Sequence, residues 1–476
     1  MMKIKGEVVK KGLLTSYLVG IYDATHGESY PRILRYFVPE FITALVLYSA
    51  LYLLDAKWIA DLRSTSTYAT LGITNTLLHF IIKIAEGISV GTIILTGKYN
   101  GMRHYREAGR SFVDAFWSTV LVGGVIASLL YVGAFWIYRL YGVPYEIADL
   151  GAPFLRLRAI GIFFTFVYFA FIGFMRGIKD TKTPMKIFIF GGAIFLFFDY
   201  ALIFGKFGFP AMRLQGSALA SVIQYGAMLL ASFLYLILKK NSVGSTYGLS
   251  LLRVFRSGSH IKQLIIMSWP VIIDKATMAV AYIWLGAMIA PMGTYALAAF
   301  SVIKDLERFA ILPAVAFAQV ITLLVSNDYG EQDWEGIKSN TKKIVFLTSF
   351  LVFSILLVFS LWPRYFIHFF DKNGDFTELA AAIFPILSVL VFFDLLQLIL
   401  SGALRGATNV KTVMKTRLVV CIFYFIPASY LLARLPIQDT IMKFVLVYGS
   451  FYIGNALMSI VYINRFRSDE WKLSST

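Results

Sequence analysis

Long apolar stretches alternate with short polar ones along the whole chain. Twelve of the apolar stretches are long enough for a membrane-spanning helix, which needs about 20 mainly apolar residues. They predict helices over 34–55, 68–96, 111–138, 150–175, 185–205, 214–238, 263–290, 295–325, 345–363, 378–404, 416–434 and 440–463. Six fall in each half. The longest polar connection, 239–262, is rich in Ser and Gly and joins the halves. The predicted division is an N-terminal segment (1–33), an N-lobe of six helices (34–238), a linker (239–262), a C-lobe of six helices (263–463) and a tail (464–476).

Composition agrees with that pattern. The chain of 476 residues is 58% apolar and 15% charged, against about 45–50% and about 25% for soluble domains. The formal charge of +17 would suggest nucleic acid in a soluble protein, but here the basic residues sit between apolar runs. Of the 44 Lys and Arg, 29 lie at the N-terminal segment, the ends of even-numbered helices and the tail; nine lie at the other ends. Basic residues accumulate on the cytoplasmic side. The prediction is a multi-pass protein of the cell inner (plasma) membrane with both termini cytoplasmic, and an even helix number follows from that parity. Lys3, Lys5, Lys10 and Lys11 precede a short apolar piece, 12–22, as in a signal peptide. No clear small-residue cleavage site follows, so a cytosolic or interfacial leader is expected.

The halves repeat one plan. Gly173-Phe-Met-Arg-Gly-Ile-Lys-Asp-Thr-Lys-Thr183 recurs 229 residues later as Gly402-Ala-Leu-Arg-Gly-Ala-Thr-Asn-Val-Lys-Thr412. Pro39 and Pro270, each expected to open the first helix of its half, are 231 residues apart. Six crossings return the chain to its starting side, so a pseudo-two-fold axis along the membrane normal should relate the lobes, with a cavity between them. The two Arg-Gly copies read as cytoplasmic turns. Their alignment sets Thr165 against Asp394, so the halves repeat in fold but not in charge.

Charges inside apolar runs are candidates for function, because each costs roughly 2.5–3.5 kcal/mol to insert. Several have local partners at helical spacing: Lys83–Glu86, Lys304–Glu307 and Asp305–Arg308. Asp274-Lys275 could neutralise each other or point to different neighbours, and Asp114 reads as interfacial. Three carboxylates lack an evident local partner: Asp55, Asp199 and Asp394, the last with Gln397 on the same face. Glu40, after Pro39, could snorkel or face the cavity. A carboxylate in an apolar cavity can hold a proton, a small cation or an organic cation, but not readily two at once. That competition is the simplest route to antiport.

These residues carry a resemblance to the multidrug and toxic compound extrusion (MATE) transporters over nearly the whole chain. The motifs are Pro39 and Asp55; Arg176-Gly177-x-x-Asp180-Thr181-Lys182-x-Pro184; Asp199-x-x-Leu-Ile-Phe-Gly205 with Gly216-Ser-Ala-Leu-Ala220; and Phe393-Asp394-x-x-Gln397 leading to Arg405-Gly406. The resemblance implies an all-α membrane protein of twelve helices in two lobes, a central substrate cleft and rocker-type alternating access. It implies export of organic cations against inward H⁺ or Na⁺. It assigns ion coupling to Asp55 and Asp199 in one branch and to Asp394 in another. Phe195 stands where the first branch usually has an Asn, and Asp274 is the nearest match to a helix 7 glutamate of the second.

The expected function is therefore a secondary antiporter of organic cations or drugs, with H⁺ favoured over Na⁺. Asp55, Asp199 and Asp394 are the coupling candidates, and Glu40, Gln397, Asp274 and Thr165 the substrate-cavity candidates. A lipid-linked oligosaccharide flippase of the same superfamily is the alternative. It would need several unpaired cations in the cleft, for which Lys83, Arg156, Arg158, Lys275 and Lys304 are available. One cysteine (Cys421), five scattered histidines and no nucleophile-elbow motif give no sign of an enzyme, a metal or a cofactor beyond the coupling ion. The expected partners are a small organic cation and membrane lipid, with no nucleic acid, and the chain is expected to act as a monomer.

Overall fold

A computed structural model describes residues 26–46, 51–238, 243–249 and 260–472. It is 87% helical, with no strand among the described residues. The first predicted helix, α1, is described in two pieces, Tyr30–Leu45 and Leu51–Ala60. The others are α2 Thr65–Gly101, α3 Tyr105–Leu140, α4 Tyr145–Gly177, α5 Lys182–Phe204, α6 Leu214–Leu238, α7 Ile261–Ile289, α8 Thr294–Glu331, α9 Trp334–Leu361, α10 Thr377–Gly406, α11 Val410–Arg434 and α12 Thr440–Arg467. The eleven helices α2–α12 are each long and apolar enough to cross a membrane. Most of the predicted linker, the leader and the end of the tail lie outside the described residues.

The main difference from the sequence reading is length at the Lys/Arg-rich end of the molecule. Helix α9 begins at Trp334, not near 345, because Asp333 accepts from the amide of Gly336 (2.9 Å) and starts the helix early. Its polar first turns then find partners. Ser339 and Lys343 donate to the carbonyl of His26 (both 2.9 Å), and Asn340 donates to Asp328 (2.8 Å). Polar residues that read as loop are thus buried helix. Pro39 and Pro270 lie inside α1 and α7 and do not open them.

Each half builds its own apolar core. One is formed by α2–α6 around Phe166, Tyr168 and Phe174; the other by α7–α12 around Leu285, Ile303, Phe384 and Tyr448. Between them α2 packs on α7, and α8 packs on α1. Exchanging the lobes exchanges these two contacts, as a two-fold relation requires. Phe37 of α1 stacks on Phe317 of α8 with ring centres 4.0 Å apart.

The named contacts between lobes run from the basic end to about mid-helix. Asn100 donates to Asn327 (2.6 Å), and Asn327 donates to the carbonyl of Gly177 (2.9 Å). Lys179 lies 3.8 Å from Asp328. A Cβ built on Gly91 would collide with Ser268 Oγ, and one on Gly101 with the Asn327 carbonyl. Glycine is what allows the helices to touch there. Asp114, expected at the interface with lipid headgroups, is instead fully buried and accepts from the His260 amide (2.9 Å).

Candidate functional site

Four helices of the N-lobe bring one carboxylate pair together. Asp55, from the second piece of α1, accepts from Ser217 Oγ of α6 (2.7 Å). Its other oxygen lies 3.6 Å from Arg158 Nη2 of α4. The Arg158 guanidinium also lies over the Phe154 ring, 5.3 Å from its centre. Asp199 of α5 is fully buried, and neither of its oxygens has a hydrogen-bond partner. Asp55 and Arg158 act on it electrostatically. Phe195, one turn before Asp199, is buried and supplies no oxygen. Asp199 lies 17 residues from the start of α5, about 25 Å from the basic end.

Nearer that end α4 binds α1 a second time. Arg176 grips Glu40 through Nε (2.8 Å) and Nη2 (2.5 Å). Arg176 is therefore not a turn residue but the last-turn anchor of α4. Its repeat partner Arg405 does the same in the C-lobe, with Nη2 2.5 Å from Asp274 of α7. Asp274 also binds Arg417 of α11, which donates to Gln397 Oε1 (3.2 Å). The sequence candidates Glu40, Asp274 and Gln397 are thus each engaged with an arginine. Thr165 donates to the carbonyl of Gly161 (2.8 Å), within its own helix.

A second pair of acids sits in the C-lobe. Asp394 of α10 accepts from Asn455 of α12 (3.0 Å). Glu307 of α8 accepts from the Tyr448 hydroxyl, and its second oxygen has no partner. Asp394 acts electrostatically on Glu307. Neither acid forms an ion pair among the described residues. The expected Lys304–Glu307 pair is replaced. Lys304 lies over the Phe300 ring at 5.2 Å, Asp305 faces Arg308 at 3.6 Å, and Glu307 turns inward.

Between the lobes, Glu86 of α2 takes Lys83 (2.9 Å) and Lys275 of α7 (2.7 Å). Asp274 and Lys275 therefore point to different neighbours. No group of three or more His, Cys, Asp or Glu suited to a metal occurs among the described residues.

This constellation, on two six-helix lobes, can be compared with known proteins. The MatE family model matches residues 41–201 and 270–431, two segments that repeat across the lobes. The chain belongs to the MatE family. Among its relatives is the "Probable multidrug resistance protein YoeA" of Bacillus subtilis (strain 168). It is 25% identical over 283 residues, which are 59% of this chain and 60% of that protein. The "Probable multidrug resistance protein NorM" of Thermotoga maritima is 24% identical over 376 residues, 78% of this chain and 77% of that one. The MatE fold is equally plain in three dimensions. "Crystal structure of MATE in the bent conformation" superposes with a TM-score of 0.81 at 20% identity, covering 92% of this chain and 94% of the other. "Outward-facing conformation of a multidrug resistance MATE family transporter of the MOP superfamily" does so with 0.83 at 18%, covering 92% and 95%.

Arg158, Ser217, Glu307, Asn455 and Arg417 escaped assignment to the sites in the sequence reading. Glu307 was expected there to pair with Lys304, Arg158 stood only among the cations of the flippase alternative, and Ser217 lay within the Gly216–Ala220 motif. The others lie on helices remote in sequence from the acids they meet.

Proposed function

We propose that this MatE-family chain is a secondary exporter that exchanges organic cations for protons by alternating access. The observation that carries the reading is Asp199: a fully buried carboxylate, both oxygens without a hydrogen-bond partner, beside a second acid. Burial penalises the charged form heavily, so such a group favours whatever brings it a positive charge. The named contacts between the lobes run from the basic end, at Asn100–Asn327, to about mid-helix, at Glu86–Lys275. With the basic end cytoplasmic, in the inner membrane, this is an outward-facing arrangement with both termini inside.

Three of the five candidate cleft cations are paired with acids and Arg156 is exposed, which supports export of cations over flipping of a pyrophosphate lipid. Lys83 and Lys275 meet Glu86, Arg158 meets Asp55, and Lys304 lies on an aromatic ring. The test is uptake of a fluorescent monocation such as ethidium into inverted vesicles, with H⁺ and Na⁺ gradients imposed separately. A pH gradient should drive uptake and Asp199→Asn should abolish it. Equal uptake by Asp199→Asn and wild type, or no response to either gradient, would sink the reading.

A further inference from the structure

The N-lobe acids have a built-in cation. Of the four oxygens of Asp55 and Asp199, one accepts from Ser217 and a second faces the Arg158 guanidinium. Only the two oxygens of Asp199 are left without a partner. Arg158 is partly buried, at 14% side-chain exposure, and its Nε has no partner. It is held by Asp55 and by the Phe154 ring. An arginine stays charged at any physiological pH. The charged groups acting on Asp199 are therefore Asp55 from α1 and Arg158 from α4, with the Ser217 hydroxyl of α6 alongside.

A hard alkali cation needs several oxygen ligands to replace its water. Here Asp199 offers two, Phe195 offers none, and Asp55 is already committed. The cation would also enter beside a fixed guanidinium, which repels it. A proton needs one carboxylate oxygen and no coordination shell. The residues present do not fit Na⁺.

We infer that Arg158 is the residue that sets ion selectivity in the N-lobe: its guanidinium takes the place an alkali cation would hold beside Asp55, and leaves Asp199 to a proton. The inference rests on the antiport reading for its meaning in transport, but it makes a claim about equilibrium binding that stands apart from it.

The test is therefore binding, not transport. Thermal unfolding of purified protein in detergent is followed in NaCl, KCl and choline chloride at one ionic strength. Wild type should show the same Tm in all three. Arg158→Gln should gain a saturable, Na⁺-specific rise in Tm, and Arg158→Gln/Asp199→Asn should lose it. Arg158→Met serves if the glutamine variant does not fold. Phe195→Asn, which adds the neutral oxygen but keeps the guanidinium, should stay indifferent to Na⁺. A Na⁺-specific rise in wild type or in Phe195→Asn overturns the inference, as does a folded Arg158 variant that ignores Na⁺. If ethidium transport fails in wild type while these binding results hold, the antiport reading falls and the role of Arg158 stands.

Discussion

Lys275 of α7 donates to Glu86 of α2 across the lobe boundary at 2.7 Å, and the two are 189 residues apart in the chain. Glu86 also holds Lys83, so one carboxylate ties two ammonium groups of opposite lobes. This contact lies about mid-helix in both α2 and α7, farther from the basic end than Asn100–Asn327. An alternating-access cycle has to break it.

Glu86→Gln should therefore weaken the closed basic end. Removing one partner of a buried ion pair costs about 3–5 kcal/mol, and the partial exposure of these groups, 12% for Glu86 and 21% for each lysine, lowers that figure. Cysteines placed at Asn100 and Asn327, 2.6 Å apart through their side chains, report the closure. Crosslinking should fall in Glu86→Gln and recover in part in the exchanged pair Glu86→Lys/Lys275→Glu. Unchanged crosslinking in Glu86→Gln would show that the pair does not hold the lobes.

Asp199→Asn and Asp55→Asn should separate function from stability. Asp199 has no hydrogen bond to lose, and neutralising a buried charge removes a desolvation penalty. Its variant should abolish coupled efflux while Tm in detergent holds or rises. Asp55→Asn strands the Arg158 guanidinium, which should cost about 3 kcal/mol and lower Tm. A Tm loss for Asp199→Asn as large as that for Asp55→Asn would contradict the geometry.

Gly101→Val should block the closed state without touching a charged group. Any Cβ at this position meets the backbone carbonyl of Asn327, which cannot swing aside as a side chain tip can. The expected result is lost Asn100–Asn327 crosslinking and lost transport, with normal membrane expression. Normal crosslinking and transport in this variant would refute the close approach.

The repeated arginines should differ in importance although the motif is the same. Arg176→Gln strands the buried carboxylate of Glu40, whereas Arg405→Gln leaves Asp274 with Arg417. Arg176→Gln is expected to lower Tm well beyond Arg405→Gln. Equal losses would mean that Arg417 does not compensate.

Local pairs were legible in the sequence, and long-range pairs were not. Lys83–Glu86 and Asp305–Arg308 follow from helical spacing and are formed. Lys304–Glu307 has the same spacing and is not, because Glu307 is drawn inward by the hydroxyl of Tyr448, 141 residues away. Spacing along one helix fixes which side chains share a face. It does not fix what that face meets. For the same reason Asp55 looked isolated, with Lys57 beside it in sequence, while its partner Arg158 waited on another helix. The Arg-Gly repeats aligned the two halves, but their arginines turned out to be anchors inside helices, each gripping the first helix of its own lobe.

By itself the sequence determined the number of crossings, the basic end and the doubling of one six-helix plan. These follow from the cost of placing polar groups in hydrocarbon, which is counted residue by residue along the chain. Only the tertiary structure decided which buried acids carry a counter-charge and which do not. Glu40, Glu86, Asp274 and Asp55 have theirs; Asp199, Glu307 and Asp394 form no ion pair among the described residues. Coulomb energy depends on distance in space, and the residues that settle it here come from helices separated by as many as 189 positions.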